Sequence, residues 1–343
     1  MYLDTQKLIS WFNQNKRDMP WRHTQDPYAI WVSEIMLQQT RVDTVIPYYL
    51  RFLKELPTIQ DLANVSEEKL LKLWEGLGYY SRVRNMQYAA KTIIEKFDGK
   101  FPKTYEDTLS LKGIGEYSVG AILSRSYNLP YASVDGNVLR VLTRYEANDI
   151  DISLNATKKY FKEKIEQLKP SNFGFLNESL MELGATICTP TNPQCEKCPL
   201  NDKCQAYHLN KVSDFPIKTK KVRSIECTYT CLFLYTKDEL YYFENKENGV
   251  LKNLLSPILI NETLSLNQVK DYLNSLNIEY TSITSLKDKK HIFSHQTWFM
   301  TGYKVELKII PSLKGNFYSK EQIKNQVSIP VCFQKFFLEL NIE

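Results

Sequence analysis

Over roughly the first two hundred residues, apolar side chains recur three or four positions apart, the period of helices with one face turned inward. Asp26 followed by Pro27 supplies an N-cap and a first-turn proline, and the helix it opens runs through Ile30, Trp31, Ile35 and Met36. Ser66 caps a helix that begins Glu67-Glu68 and ends at Trp74, with Gly76 and Gly78 to stop it. Thr104 and Asp107 have the spacing of a capping box. No alternating strand pattern of any length occurs before about residue 223.

Beyond that point the texture changes. Lys218 to Arg223 is a short basic stretch after a proline and reads as a linker. Cys227 to Tyr235 and Trp298 to Val305 are rich in β-branched and aromatic residues, and a helical pattern from Leu266 to Leu276 lies between them. The expectation is a mostly α-helical first domain over residues 1–208, a linker over 209–223 and an α+β second domain over 224–343.

Composition adds limits. With 343 residues there is chain enough for two cores. Hydrophobic residues make up 43% and charged residues 24%, as in ordinary globular proteins. The net charge of +5 permits a polyanionic partner without demanding one. No run of about eighteen apolar residues is present to span a membrane. Met1-Tyr2-Leu3-Asp4 is not the start of a signal peptide, so a cytoplasmic, reducing setting is expected and disulfides are not.

Four of the seven cysteines then need another explanation. Cys188, Cys195, Cys198 and Cys204 are spaced C-x6-C-x2-C-x5-C, close enough for four thiolates to close around one metal centre. Zinc is one reading, although paired C-x2-C knuckles would suit it better. Cys227, Cys231 and Cys332 read as core residues of the second domain.

Three further features carry chemistry. Leu111-Lys112-Gly113-Ile114-Gly115 joins two helical stretches, and its glycines allow a tight turn with backbone N–H groups outward at a helix N-terminus, a ready phosphate site. Asp135, in Val134-Asp135-Gly136-Asn137, is an N-cap for the helix through Leu139 and Leu142. Glu34 shares a helix face with Ile30, Trp31 and Leu37, so its carboxyl should lose water and bind its proton more tightly.

The cysteine spacing resembles the [4Fe-4S] loop of the endonuclease III superfamily, and the turn followed by Asp135 resembles the helix-hairpin-helix glycosylases. Four longer stretches resemble the MutY-type adenine DNA glycosylases: 16–22, 26–40, 74–82 and 175–185, in the family's order. The resemblance implies a helical glycosylase domain with one [4Fe-4S] cluster, a Nudix-like second domain, and a monomeric enzyme of base-excision repair. Its partner would be duplex DNA in which adenine faces 8-oxoguanine or guanine, and no membrane is involved.

Roles follow residue by residue. Glu34 would protonate the leaving adenine and then activate water. Asp135 would stabilise or capture the sugar cation, Tyr117 would support it, and Asn137 would hold the catalytic groups in place. Arg17, Trp21 and Glu178 would line the adenine pocket. Gln38, Gln39, Tyr79, Gly113 and Gly115 would meet DNA, with Gln39 and Tyr79 entering the base stack. Cys188, Cys195, Cys198 and Cys204 would hold the cluster, with Lys197 and Lys203 near phosphate. Tyr117 stands where endonuclease III-like enzymes carry a Schiff-base lysine, which implies base removal with little strand cleavage.

In the second domain Phe293, Ser294 and His295 match the family's lesion-reading loop. The glycine-tryptophan-rich segment usual near its start is reduced to residues 249–257, without Trp, and no R-E-x-x-E-E metal helix occurs.

Overall fold

A computed structural model of the protein describes residues 2–219, 225–247, 249–252, 254–293 and 296–342. These divide into two compact units, one of residues 2–64 with 81–219 and one of residues 65–80 with 225–342.

The first unit is helical. It contains α1 (Thr5–Asn15), α2 (Pro27–Leu37), α3 (Val42–Glu55) and α4 (Ile59–Asn64). After α5 (Glu67–Trp74), which belongs to the other unit, come α6 (Ser81–Lys96), α7 (Tyr105–Ser110) and α8 (Glu116–Tyr127). Then follow α9 (Gly136–Glu146), α10 (Asn155–Glu166), α11 (Phe173–Thr186) and the short α12 (Gln205–His208).

The local chemistry explains where the helices begin. Both carboxylate oxygens of Asp26 accept backbone N–H groups, from Tyr28 and Ala29, and Pro27 fills the first helical position. Thr104 caps α7, but the Asp107 carboxylate returns to the Thr104 hydroxyl, so the full reciprocal box is not formed. Asn128 ends α8 in the left-handed region, and its side chain accepts from Phe173 N at 2.7 Å, tying that end to the start of α11.

One core joins Leu8 and Ile9 of α1, Leu139 and Leu142 of α9, and Leu176, Leu180 and Leu183 of α11. The last two helices approach closely. A Cβ added at Gly184 would lie 2.6 Å from Asn137 Cβ, so only glycine fits there without displacement. α2 departs from the one-faced pattern. Tyr28 to Ser33, Ile35 and Met36 are all buried, which leaves Glu34 on a helix surrounded by protein.

Residues 209–219, expected in the linker, pack on this unit. Ile152 N donates to Ile217 O at 3.0 Å and Arg144 Nε to Phe215 O at 3.0 Å. Lys221, Val222 and Arg223 of the same stretch lie outside the described residues.

The second unit is an α+β, Nudix-like domain. Its strands are β1 (Ile225–Tyr235), β2 (Tyr241–Asn245), β3 (Leu255–Ser256), β4 (Ile258–Ile260), β5 (Tyr280–Ser285), β6 (Lys289–Ile292), β7 (Gln296–Leu307) and β8 (Asn316–Tyr318). β1 and β7, the two stretches marked by β-branched and aromatic residues, run parallel at the centre, in register from Ile225 opposite Gln296 to Tyr235 opposite Glu306. β2 and β4 flank β1 and β5 and β6 flank β7, all antiparallel. α13 (Leu266–Ser275) covers one face through Val269 and Leu273, against Leu232, Leu234 and Val305. Cys231 and Cys332 are buried there, whereas Cys227 is only half-buried.

α5 is held to this unit by polar contacts. Lys72 donates to the carbonyls of Ile323 and Val327, and Glu75 accepts from Ile329 N and Gln334 Nε2. Nothing in the local pattern of residues 65–80 indicates that they pack away from their sequence neighbours.

Candidate active site

Five segments of the first unit line a cavity of about 300 Å³. α2 contributes Glu34, α8 contributes Tyr117 and Arg125, and the start of α9 contributes Asp135 and Asn137. α11 contributes Asn177, Glu178 and Glu182, and Trp21 with Arg22 closes the last side. Glu34 and Asp135, about a hundred residues apart in sequence, thus share one enclosed space.

Burial raises the Glu34 carboxyl to about 7. The nearby charge of Arg125 and a hydrogen bond from Tyr117 act against that rise, while Glu178 and Asp135 add to it. Glu34 is half-buried and lines this cavity. Tyr117 is held well above the usual tyrosine range, first by burial and then by the Glu34 carboxylate, so it remains a donor.

Asp135 is both the N-cap of α9 and a wall of the cavity. Its Oδ1 accepts from Val138 N and its Oδ2 from Asn137 Nδ2, both at 2.8 Å. Burial raises its carboxyl and these donors pull it back down. Asn137 in turn accepts from Arg140 Nη2 at 2.8 Å, and Arg140 reaches Gly184 O and Cys188 O. Asp135 therefore has a fixed direction, set through two further side chains.

Arg17, Trp21 and Glu178 line the same cavity. The residue that organises them is Glu182, 1% exposed. It accepts from Arg17 N, Nε and Nη2 and from Arg22 Nη2, at 2.8 to 3.0 Å. These contacts hold its carboxyl down at about 2 against the cost of burial. Arg125 ion-pairs with Glu178 and donates to Trp21 O and Thr24 O.

Sequence reasoning gave Glu182 and Arg125 no role. Glu182 stands one helical turn after Glu178 in a mostly apolar stretch, and two acids at that spacing were the available signal. Arg125 lies in the last turn of α8, where a cation suits the helix dipole and so attracts no notice.

The candidate DNA-facing residues stand elsewhere. Gln38 and Gln39 form the turn after α2, outside the cavity lining, and Gln39 is exposed with φ 59°. Arg82 Nη1 fixes that turn by donating to the carbonyls of Ile35, Met36 and Gln38. Gly113 and Gly115 lie between α7 and α8. Gly113 has φ +85° and a Cβ there would come within 2.8 Å of Asn85, so this position needs glycine. Gly115 is the N-cap of α8 and has room for a side chain. Tyr79 belongs to the second unit, 42% exposed and with φ 46°. Phe293, also there, packs edge-on against Trp298, and Ser294 and His295 lie outside the described residues.

Cys188, Cys195, Cys198 and Cys204 line one small pocket behind α9, with Arg144 and Tyr207. No three His, Cys, Asp or Glu side chains among the described residues are grouped as ligands of a single metal ion; the thiols surround a space instead. Burial and their mutual repulsion push the Cys198 thiol to about 12. Arg144, 2% exposed, donates to Cys188 Sγ at 3.4 Å and to the carbonyls of Thr189, Pro190 and Phe215. Lys197 and Lys203 are exposed on the same loop.

Residues 32–170 match the model of the HhH-GPD superfamily of base-excision DNA repair proteins, which defines the class. The first unit has the fold of a thermostable thymine-DNA glycosylase (29% identity, TM-score 0.55, 60% of this chain and 95% of that one). It also has the fold of endonuclease III in a non-covalent DNA complex (20% identity, TM-score 0.51, 61% and 99%).

Among curated proteins, the chain is 36% identical to the adenine DNA glycosylase of Buchnera aphidicola subsp. Baizongia pistaciae over 86% of this chain and 84% of that protein. The enzyme of Buchnera aphidicola subsp. Schizaphis graminum is 34% identical over 92% and 91%. The human enzyme is 44% identical over 58% of this chain and 38% of its own length. The chain belongs to the adenine DNA glycosylase family, the DNA N-glycosylases of base-excision repair that hydrolyse the bond between adenine and its sugar.

Proposed function

We infer that this enzyme takes adenine from duplex DNA where it faces 8-oxoguanine or guanine, with Glu34 as general acid and Asp135 as the group that answers charge on the sugar. The observation that carries the reading is the convergence of these two carboxyls on one cavity. A duplex buries the reacting bond, so the target nucleotide swings out into this cavity before chemistry.

A carboxyl that keeps its proton to about pH 7 can give it to N7 of adenine, so the base leaves neutral rather than as an anion. Positive charge grows on the sugar as the bond breaks, and the fixed Asp135 carboxylate stabilises it. Glu34, now ionised, takes a proton from the attacking water. Tyr117 supports the cation beside Asp135, and Asn137 fixes the Asp135 carboxylate by a hydrogen bond. Arg17, Trp21 and Glu178 hold the base. Tyr117 has no amine to form a Schiff base, so the enzyme removes the base with little strand cleavage, any weak secondary cleavage falling to the nearby Lys112.

Gln39 enters the base stack, as does Tyr79, Gln38 meets DNA, and the backbone around Gly113 and Gly115 holds phosphate. Phe293, Ser294 and His295 read the opposite base. Cys188, Cys195, Cys198 and Cys204 suit a [4Fe-4S] cluster, since they line one pocket and Arg144 buries a cation whose hydrogen-bond partners include a cysteine sulfur and no carboxylate. These four thiols would hold the cluster, which would brace the loop that carries the exposed Lys197 and Lys203.

The test uses the purified protein and duplexes with adenine opposite 8-oxoguanine, guanine or thymine. Adenine release from the first two, with strand scission only after alkali, supports the reading. Prompt strand breakage with a borohydride-trapped complex, or equal action on adenine opposite thymine, overturns it.

A further inference from the structure

Arg125 is a cation inside the cavity that houses Glu34, and its side chain is only 10% exposed. Its guanidinium does not follow the helix axis toward solvent. One nitrogen ion-pairs with Glu178, and another donates to Trp21 O at 3.1 Å and Thr24 O at 3.3 Å. Fixed on three sides, the planar fork cannot swing away from the cavity.

The other charged groups are committed elsewhere. Arg17 spends its backbone N–H and guanidinium on Glu182. Arg22 also turns to Glu182, at 2.9 Å, and only its Nε reaches Glu178, at 3.3 Å. Asp135 is engaged by Val138 N and Asn137, and Tyr117 donates to Glu34 itself. Of the charges that act on Glu34, Arg125 favours its ionised form, whereas Glu178 and Asp135 favour the protonated one, and only Arg125 and Glu178 are ion-paired to each other.

We propose that the Arg125–Glu178 ion pair is a positioning device that governs the protonation state of Glu34. It rests on the reading of Glu34 as the general acid. Glu34 must give a proton to the base and then take one from water, so neither its acid nor its conjugate base can be strongly favoured. Burial beside Asp135 and Glu178 alone would lock the proton on. Arg125 opposes this, and Glu178 keeps Arg125 from drawing the proton off entirely. Among the specific groups acting on Glu34, Arg125 is the largest.

The two halves of the pair thus predict opposite displacements, which a merely structural role would not produce. The experiment is single-turnover adenine release against pH for the whole enzyme with its duplex substrate. Arg125→Met removes the cation, so the limb where activity falls with rising pH moves upward by about one pH unit, a tenfold change in proton affinity. Glu178→Gln frees Arg125 to act on Glu34, and the limb moves downward by a similar amount. Arg125→Lys, which keeps the charge, leaves the limb within about a third of a unit of the parent, and Arg125→Met/Glu178→Gln returns toward it.

The maximum rate of either single variant does not decide the matter; the position of the limb does. Shifts in the same direction, or no shift in either, overturn the proposal. If Arg125→Met does not fold, Arg125→Lys and Glu178→Gln still decide it: a downward shift in the second without one in the first upholds it, and any other pattern sinks it. Glu34→Gln separates this from the underlying reading. Full activity in that variant removes Glu34 as the acid, whereas an inactive Glu34→Gln beside unmoved limbs removes only the ion pair's role.

Discussion

In the cavity around Glu34, the arginines answer carboxylates: Arg17 and Arg22 meet Glu182, and Arg125 meets Glu178. In the cysteine pocket, Arg144 is fully buried and bonds to carbonyls and to Cys188 Sγ, with no carboxylate among its partners in the described residues. A buried cation is costly unless an anion stands near. The first region supplies its anions from the chain and leaves one carboxyl, Glu34, poised between states. The second supplies thiols, and burial raises those of Cys195, Cys198 and Cys204, so a metal bound there would have to displace their protons. On the proposed reading, the first region exchanges a proton and the second holds a metal centre.

The contrast breaks most visibly at the cysteines. If the four thiols hold the proposed cluster, Cys198→Ser should cost iron, visible absorbance and cooperative thermal unfolding together, because structural metal binding is worth on the order of 10 kcal/mol. A variant that melts like the parent without iron would separate the cluster from the fold.

Next in size is Glu34→Gln. Loss of a general acid should slow adenine release about 100- to 10,000-fold, with iron content unchanged. Single-turnover kinetics beside an iron assay checks both halves, and a smaller loss would mean the cavity works without a titrating group.

The same variant should be more stable than the parent, in a pH-dependent way. Glu34 is raised from 4.5 to about 7, so folding penalises its ionised form. The penalty is absent below about pH 4.5, grows through pH 7 and is complete above it, where it is on the order of 3 kcal/mol. Melting curves of Glu34→Gln and the parent should coincide near pH 4 and separate at pH 8. The rate of the parent should fall as pH rises through about 7, when Glu34 loses its proton, and also fall in acid as Asp135 gains one.

The smallest expected effect joins the two regions. Gly184→Ala puts a methyl against Asn137, between Asp135 and the Arg140 contact to Cys188. Overpacking there should cost about 1 to 3 kcal/mol of stability and lower the rate by misdirecting Asp135. A stable Gly184→Ala with full activity would show that the two regions are independent.

Much of this was legible without coordinates. Asp26, Ser66 and Asp135 announce helix starts because a short acceptor beside free N–H groups is a local arrangement. The stretches that became β1 and β7 stood out by composition, and their parallel pairing did not, since the partners lie some seventy residues apart. Glu34 was noticed for the company it keeps on its own helix. Glu182 and Arg125 went unassigned, because their partners come from other helices and each looks ordinary among its neighbours in sequence.

The chain by itself determined which residues are chemically able to act: two carboxyls, a tyrosine in place of a lysine, and four thiols at short spacing. It determined helix limits too, because caps and glycine stops act over four or five residues. The packed molecule alone decided which acids share a cavity, which arginine faces which carboxylate, and that residues 65–80 join the second unit. The reason is physical. Proton affinity depends on burial and on charges a few ångströms away, and those neighbours are drawn from helices that only the shared core brings together.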